Sequence, residues 1–119
     1  MKDFRKYEVW RRSHKLVIDI YRLTEFFPAN EMYGIVSQIR RASVSIPTNF
    51  AEGCGRFSQQ EFSRFLQISI GSSSEVEYLL ILSKELEFYD KELLETLIIE
   101  VVIIRKKMIA LRNKIRKEL

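Results

Sequence analysis

Leu94, Leu97, Val101, Ile104, Met108, Leu111 and Ile115 recur at alternating intervals of three and four along the last quarter of the chain. Only an α-helix stacks such positions on one side, and a seam of this length is the heptad stripe by which helices pack in coiled coils and bundles. At about 1.5 Å per residue the stripe runs for roughly 30 Å. Such a rod cannot bury its own seam, so the rest of the chain must supply partners of similar length.

It does. Tyr7 to Phe26 has helical spacing, with Val9 or Trp10, Ser13, Val17, Ile20 or Tyr21 and Thr24 in a stripe, and Arg11, Arg12, Lys15, Asp19 and Arg22 largely outside it. Phe27-Pro28-Ala29-Asn30 ends this run, because proline cannot continue the ladder, and Asn30 is placed to cap the next helix. A second helix is predicted over Glu31 to Cys54, on the spacing of Ile39, Ala42 or Ser43, Ile46, Phe50 and Cys54. Pro47 lies inside it, removes one amide donor and crowds the Ser43 carbonyl, which predicts a kink there. Ser43 and Ser45 are expected to satisfy freed backbone groups, and Gly53 and Gly55 to close the helix.

Ser58-Gln59-Gln60-Glu61 has the form of a capping box, and the helix after it keeps its period to about Glu87. Its middle, Ser69-Ile70-Gly71-Ser72-Ser73-Ser74, is a stripe of small residues that lets a neighbour approach closely. Asp90 is the expected cap of the fourth helix, with Glu92 in the first turn, where the helix dipole favours negative charge. The expected fold is therefore all-α, a single domain over residues 1–119. It is an antiparallel up-down-up-down four-helix bundle with helix two kinked near Pro47.

The fourth helix has apolar residues left over. Ile98, Ile99, Val102, Ile103 and Ile109 fall outside the seam, which leaves the central turns apolar nearly all round. A second buried face is expected, either an oligomer interface or a surface covered by loops or the N-terminal segment with Phe4 and Tyr7.

Four glycines and two prolines are too few for the turns of an all-β fold. Apolar runs such as Val101-Val102-Ile103-Ile104 fall far short of the roughly 20 residues of a membrane span, and no apolar segment follows the basic N-terminal residues as in a signal peptide. A single cysteine excludes an internal disulfide and fits a reducing, cytoplasmic setting with no membrane partner.

The net charge of +4 is modest, but up-down topology sorts it. Lys2, Arg5, Lys6, Arg11, Arg12, Lys15, Arg56, Arg64, Arg105, Lys106, Lys107, Arg112, Lys114, Arg116 and Lys117 are expected toward one end, opposed there by Asp3 and Glu8. Glu25, Glu31, Glu85, Glu87, Asp90, Glu92 and Glu95 go to the other. The expected nucleic-acid contacts are Arg5, Lys6, Arg11, Arg12, Lys15, Arg56, Arg64, Arg112 and Arg116. A polar strip of Ser37, Arg40, Arg41, Ser45, Asn49 and Glu52 runs beside the apolar face of helix two. It is either a solvated face or a hydrogen-bonded network reaching a carboxylate such as Glu75.

Catalytic patterns are missing. His14 is alone and is expected at the surface or in an interface, with no metal site around it. Cys54 lies on the apolar face with no histidine near in sequence and is expected to be a small buried hydrophobe. Ser72-Ser73-Ser74 has no base, Gly53-Cys54-Gly55-Arg56 lacks the lysine of a phosphate loop, and Glu52, Glu75 and Glu77 lack the Glu-x-x-His of a di-iron bundle. No cofactor is expected.

Tyr7-Glu8-Val9-Trp10, Leu23-Thr24, Ser37-Gln38-Ile39-Arg40-Arg41-Ala42, Ser45-Ile46-Pro47-Thr48-Asn49-Phe50-Ala51-Glu52-Gly53, Arg64-Phe65-Leu66 and Gly71-Ser72-Ser73-Ser74-Glu75 together resemble the four-helix-bundle family also called S23 or 23S rRNA intervening-sequence proteins. The resemblance implies a bacterial bundle, encoded within 23S rRNA genes or free-standing, with no enzymatic activity attached. Some members are ring-shaped pentamers, and a similar basic, pentameric bundle is the accessory protein of diversity-generating retroelements, which works with a reverse transcriptase and nucleic acid. Phe50 and Ile70 stand where that pattern leads one to expect isoleucine and arginine or a similar residue, and the second departure removes a base from helix three. The expected function is a non-enzymatic homo-oligomer, ring-like and pentameric by resemblance, that binds structured RNA or DNA through its basic end. The alternative is a scaffold for a protein partner with no nucleic-acid binding.

Overall fold

The computed structural model describes residues 2–119. Helices α1 (Glu8–Thr24), α2 (Ser37–Cys54), α3 (Gln59–Glu85) and α4 (Lys91–Lys117) form a rod of 46 × 21 × 20 Å. Cross-helix contacts fix their directions. Trp10 meets Pro47 while Thr24 meets Arg40, so α1 and α2 are antiparallel. Ser69 bonds Ile46 while Phe62 closes on Gly53; Glu77 pairs with Arg105 while Lys84 pairs with Glu95; Glu8 pairs with Lys107 while Arg12 pairs with Glu100. Every neighbouring pair runs antiparallel, and the bundle is up-down-up-down.

The seam of α4 is its buried face: Leu94, Leu97, Val101, Ile104, Met108 and Ile115 are buried, and Leu111 is half-buried against them. They meet Leu16, Ile20, Ile39, Ile46, Phe50, Leu66, Val76 and Leu80 in one continuous core. Each such side chain contributes about 1.5–3 kcal/mol when fully removed from water. The α1 stripe is rotated from the expected one, with Leu16 and Leu23 buried and Val17 only partly so. The small-residue stripe of α3 packs as expected: Ser69 and Ser73 are fully buried, and Ser69 Oγ donates to the Ile46 carbonyl at 2.8 Å.

Both later caps form as the sequence predicts. Ser58 Oγ accepts from Glu61 N–H at 3.1 Å and Asp90 Oδ1 accepts from Leu93 N–H at 3.0 Å, each interaction worth about 1 kcal/mol. The entry to α2 differs. Asn30 sits within a 3-10 turn (Ala29–Glu31), a π-type turn follows (Met32–Val36), and α2 proper starts at Ser37. Gly34 has non-helical dihedrals (φ −109°, ψ −112°), and the Glu31 carboxylate, not Asn30, accepts from Ile35 N–H. Non-helical dihedrals cost glycine least, so the approach to α2 breaks there.

The helix continues on both sides of Pro47. The hydroxyls expected to serve it are engaged elsewhere: Ser43 Oγ donates to the Arg40 carbonyl, and Ser45 Oγ shares a hydrogen bond with Ser72 Oγ. The Ile46 and Pro47 carbonyls receive bonds from the neighbouring helices, from Ser69 Oγ and Trp10 Nε1 respectively. Gly53 is no cap either. It lies buried within α2, where an added Cβ would stand 2.9 Å from both Phe62 Cδ1 and Phe65 Cβ, so glycine is there for close helix approach. Gly55 ends the helix with ordinary right-handed dihedrals (φ −79°).

Candidate nucleic-acid interface

Helix lengths decide where the cations lie. Glu8, the first residue of α1, is level with Lys107, whereas α4 continues to Lys117. The last turns of α4 therefore outrun α1 and lie beside the start of α3, where Gln60, Glu61, Ser63, Arg64 and Gln67 share a cleft with Arg116 and Leu119. The N-terminal segment closes the same end: Lys2 N–H donates to the Cys54 carbonyl, and its ammonium to Gln59 Oε1 at 3.1 Å.

Ion pairing then separates the nine expected contacts. Arg12 makes a two-pronged pair with Glu100, 2.9 Å on each arm, and Lys15 bonds Asp19 at 2.9 Å. Glu100 is in the middle of α4, so Arg12 and Lys15 belong to the waist of the rod and not to its basic end. Arg105, paired with Glu77 at 2.6 Å although its N–H is not aimed at the carboxylate, is likewise a waist residue.

At the end itself Arg5 pairs with Asp3, Arg56 with Glu52 at 3.7 Å and Arg64 with Glu61 at 4.0 Å. The Arg5 hydrogen bond holds the Asp3 carboxyl below its usual range, and the Lys107 ammonium does the same to Glu8. Arg11 donates to the Arg5 carbonyl. Lys6 and Arg116, and with them Lys114 and Lys117, make no ion pair among the described residues, and all four are exposed. Arg112 is half-buried with an Nε that has no hydrogen-bond partner among the described residues. Uncompensated positive charge thus concentrates on the tail of α4 and the segment before α1.

The polar strip of α2 divides. Arg40 turns toward α1, donating to Thr24 Oγ1 at 3.0 Å and to the last-turn Tyr21 carbonyl at 3.2 Å, which Thr24 Oγ1 also meets at 3.3 Å, with its guanidinium over the Tyr21 ring. Asn49 Nδ2 bonds the Ser45 carbonyl and hydroxyl, which continues to Ser72. Arg41 and Glu75 are exposed without an ion pair among the described residues, Ser37 is half-buried, and Glu52 faces Arg56. Within one chain no arginine of α2 reaches Glu75.

On the outer flank of α4, Ile99 is 62% exposed while Ile98, Val102, Ile103 and Ile109 are half-buried. On the opposite side of α1 an apolar groove of about 560 Å³ is lined by Phe4, Trp10, Val17, Val44, Pro47 and Ala51, with His14 stacked on Trp10 at its rim. Ordinary surface chemistry suffices for the rest. His14 is exposed, Cys54 is buried with its thiol pushed up to about 11 by desolvation, and no three His, Cys, Asp or Glu among the described residues gather as a metal site. Among the described residues no helix is long and apolar enough to cross a membrane.

Residues 5–110 match the family model described as 23S rRNA-intervening sequence protein. The chain belongs to that family. A solved structure from the S23 ribosomal protein family of Bacteroides thetaiotaomicron, described as a protein with unknown function, superposes with a TM-score of 0.80 at 27% identity. The match covers 87% of this chain and 97% of the other. No curated protein is similar to the chain at a significant level.

In this intervening-sequence protein the two departures from the expected family pattern are both explained by packing. Phe50 is fully buried, edge-on to Tyr7 and Phe62, and Ile70 packs against the core. Sequence reasoning missed Phe57, which is 90% exposed in the turn between α2 and α3. The signal was present: Phe57 belongs to neither helical stripe and follows an arginine in a short Gly-Arg-Phe-Ser turn.

Proposed function

We propose that this chain is a non-enzymatic, ring-forming homo-oligomer that binds RNA or DNA phosphates through the end where the tail of α4 passes the start of α3. The observation that carries this reading is the group of exposed cations without carboxylate partners there, Lys6, Lys114, Arg116 and Lys117. Phosphate binding by such groups is driven by counterion release and costs no internal ion pair. Arg12 and Lys15, committed at the waist, drop out of the contact set.

The ring is supported by two unlike apolar surfaces on one molecule, the groove beside Trp10 and Pro47 and the ridge around Ile99. A ridge seated in the next copy's groove is a head-to-tail contact, which closes into a ring when its rotation permits. Side-by-side packing aligns the basic ends into one rim, where weak contacts add through effective concentration. Five copies is the number the family resemblance favours, and a cytoplasmic setting fits the lone buried thiol.

The test is a gel-shift titration with 23S rRNA fragments at rising salt, beside light scattering of the purified protein. Expected are a mass several times that of one chain and affinity that falls steeply with salt. Absence of binding at low salt, or a monomeric mass, overturns the respective half.

A further inference from the structure

The turn between α2 and α3 places an unshielded aromatic ring, Phe57, at the basic end, next in the chain to Arg56. Phe57 is 90% exposed, forfeiting the stabilisation that burial of a phenyl ring supplies. The first turns of α3 carry another ring, Phe65, which is occupied: the Arg56 guanidinium lies 4.8 Å and that of Arg64 5.0 Å from its centroid. Those arginines hold only loose pairs, at 3.7 Å with Glu52 and 4.0 Å with Glu61, and exposed pairs of that kind contribute little. A phosphate can recruit either guanidinium at little cost.

We infer that Phe57 is a stacking platform for an unpaired nucleotide whose flanking phosphates are taken by Arg56, Arg64 and Arg116, so that the ligand of the basic end is single-stranded or looped rather than duplex. The inference rests on the phosphate-binding reading above and deepens it. In a duplex both faces of each base are covered by its neighbours, and a ring projecting from a turn meets only sugar and phosphate. An unpaired base offers a free face, which stacks on an aromatic side chain irrespective of its sequence. Charge selects this ring over other exposed aromatics. Tyr33, 97% exposed, stands at the opposite end near Glu31, where phosphate is repelled.

The experiment is fluorescence anisotropy of the full chain with one labelled mixed-sequence RNA, single-stranded or annealed to its complement, at low salt. Wild type is compared with Phe57→Ala, Phe57→Leu and Phe57→Trp, with circular dichroism and light scattering on each. Expected is preference for the single strand, lost about tenfold in the Ala and Leu variants and kept in Trp, whose fluorescence is quenched on binding. Duplex affinity and oligomer mass stay unchanged. If wild type binds neither RNA, the phosphate reading fails and takes this one with it. If wild type binds but all three variants bind the single strand equally, or the duplex loss matches the single-strand loss, only the stacking assignment falls. A change of mass in Phe57→Ala makes the ring a subunit contact and overturns it too.

Discussion

The two ends of the rod are built from similar parts and differ in charge. Each holds a turn between long helices, an N-cap at the helix that leaves the turn, and exposed aromatic surface. At one end Phe57, 90% exposed, follows Arg56 in the turn before α3, at the end that holds Arg64 and the tail of α4. At the other Phe26, 66% exposed, stacks on Tyr89 at 5.2 Å, with Phe27 against Phe88 below, among Glu25, Glu85, Glu87, Asp90 and Glu92. An exposed aromatic ring does not by itself name a partner. The field around it does, because the same phenyl group invites a polyanion in one setting and repels it in the other.

The turns differ in backbone as well. At the acidic end α3 finishes in a Schellman arrangement, with Phe88 N–H to the Ser83 carbonyl and Glu87 N–H to that of Lys84, and this forces Glu87 into the left-handed region (φ 58°). At the basic end the residue after α2 is a glycine that stays right-handed. Glycine is thus present where the dihedrals do not demand it and absent where they do.

Truncating the aromatic residue inside each end tests how unequal they are in stability. Phe50→Ala removes a fully buried ring contacting Tyr7 and Phe62 and is expected to cost about 3–5 kcal/mol in urea denaturation, with Phe27→Ala, slightly exposed, costing less. Equal losses would mean that both ends are packed alike. Next in size, converting Lys114, Arg116 and Lys117 together to Glu is expected to weaken RNA binding by about tenfold or more. Converting Glu85 and Glu92 to Lys leaves the original site intact, and a comparable loss there would erase the functional difference between the ends. The smallest effects concern the turns. Glu87→Gly relieves a left-handed non-glycine residue and is expected to raise stability by about 1 kcal/mol, while Gly55→Ala, whose Cβ meets only the Glu52 and Ala51 carbonyls at 3.4 and 3.7 Å, gains about 0.5 kcal/mol. Thermal melts check both signs.

Local pattern determined a good deal here. The α4 seam, the Ser58 and Asp90 caps, the close packing of Ser69 and Ser73 and the four-helix order are all readable because each depends on residues within a turn or two of one another. Periodicity and capping are properties of a single helix. Tertiary structure alone decided which arginines are spent. Arg12 meets Glu100 across the bundle, Arg40 turns to the end of α1 instead of to Glu75, and Lys114, Arg116 and Lys117 are left without carboxylate partners because α4 outlasts α1. Ion pairing depends on the relative height of helices, which loop lengths and the break at Gly34 set. A count of charges along the chain carries no such height.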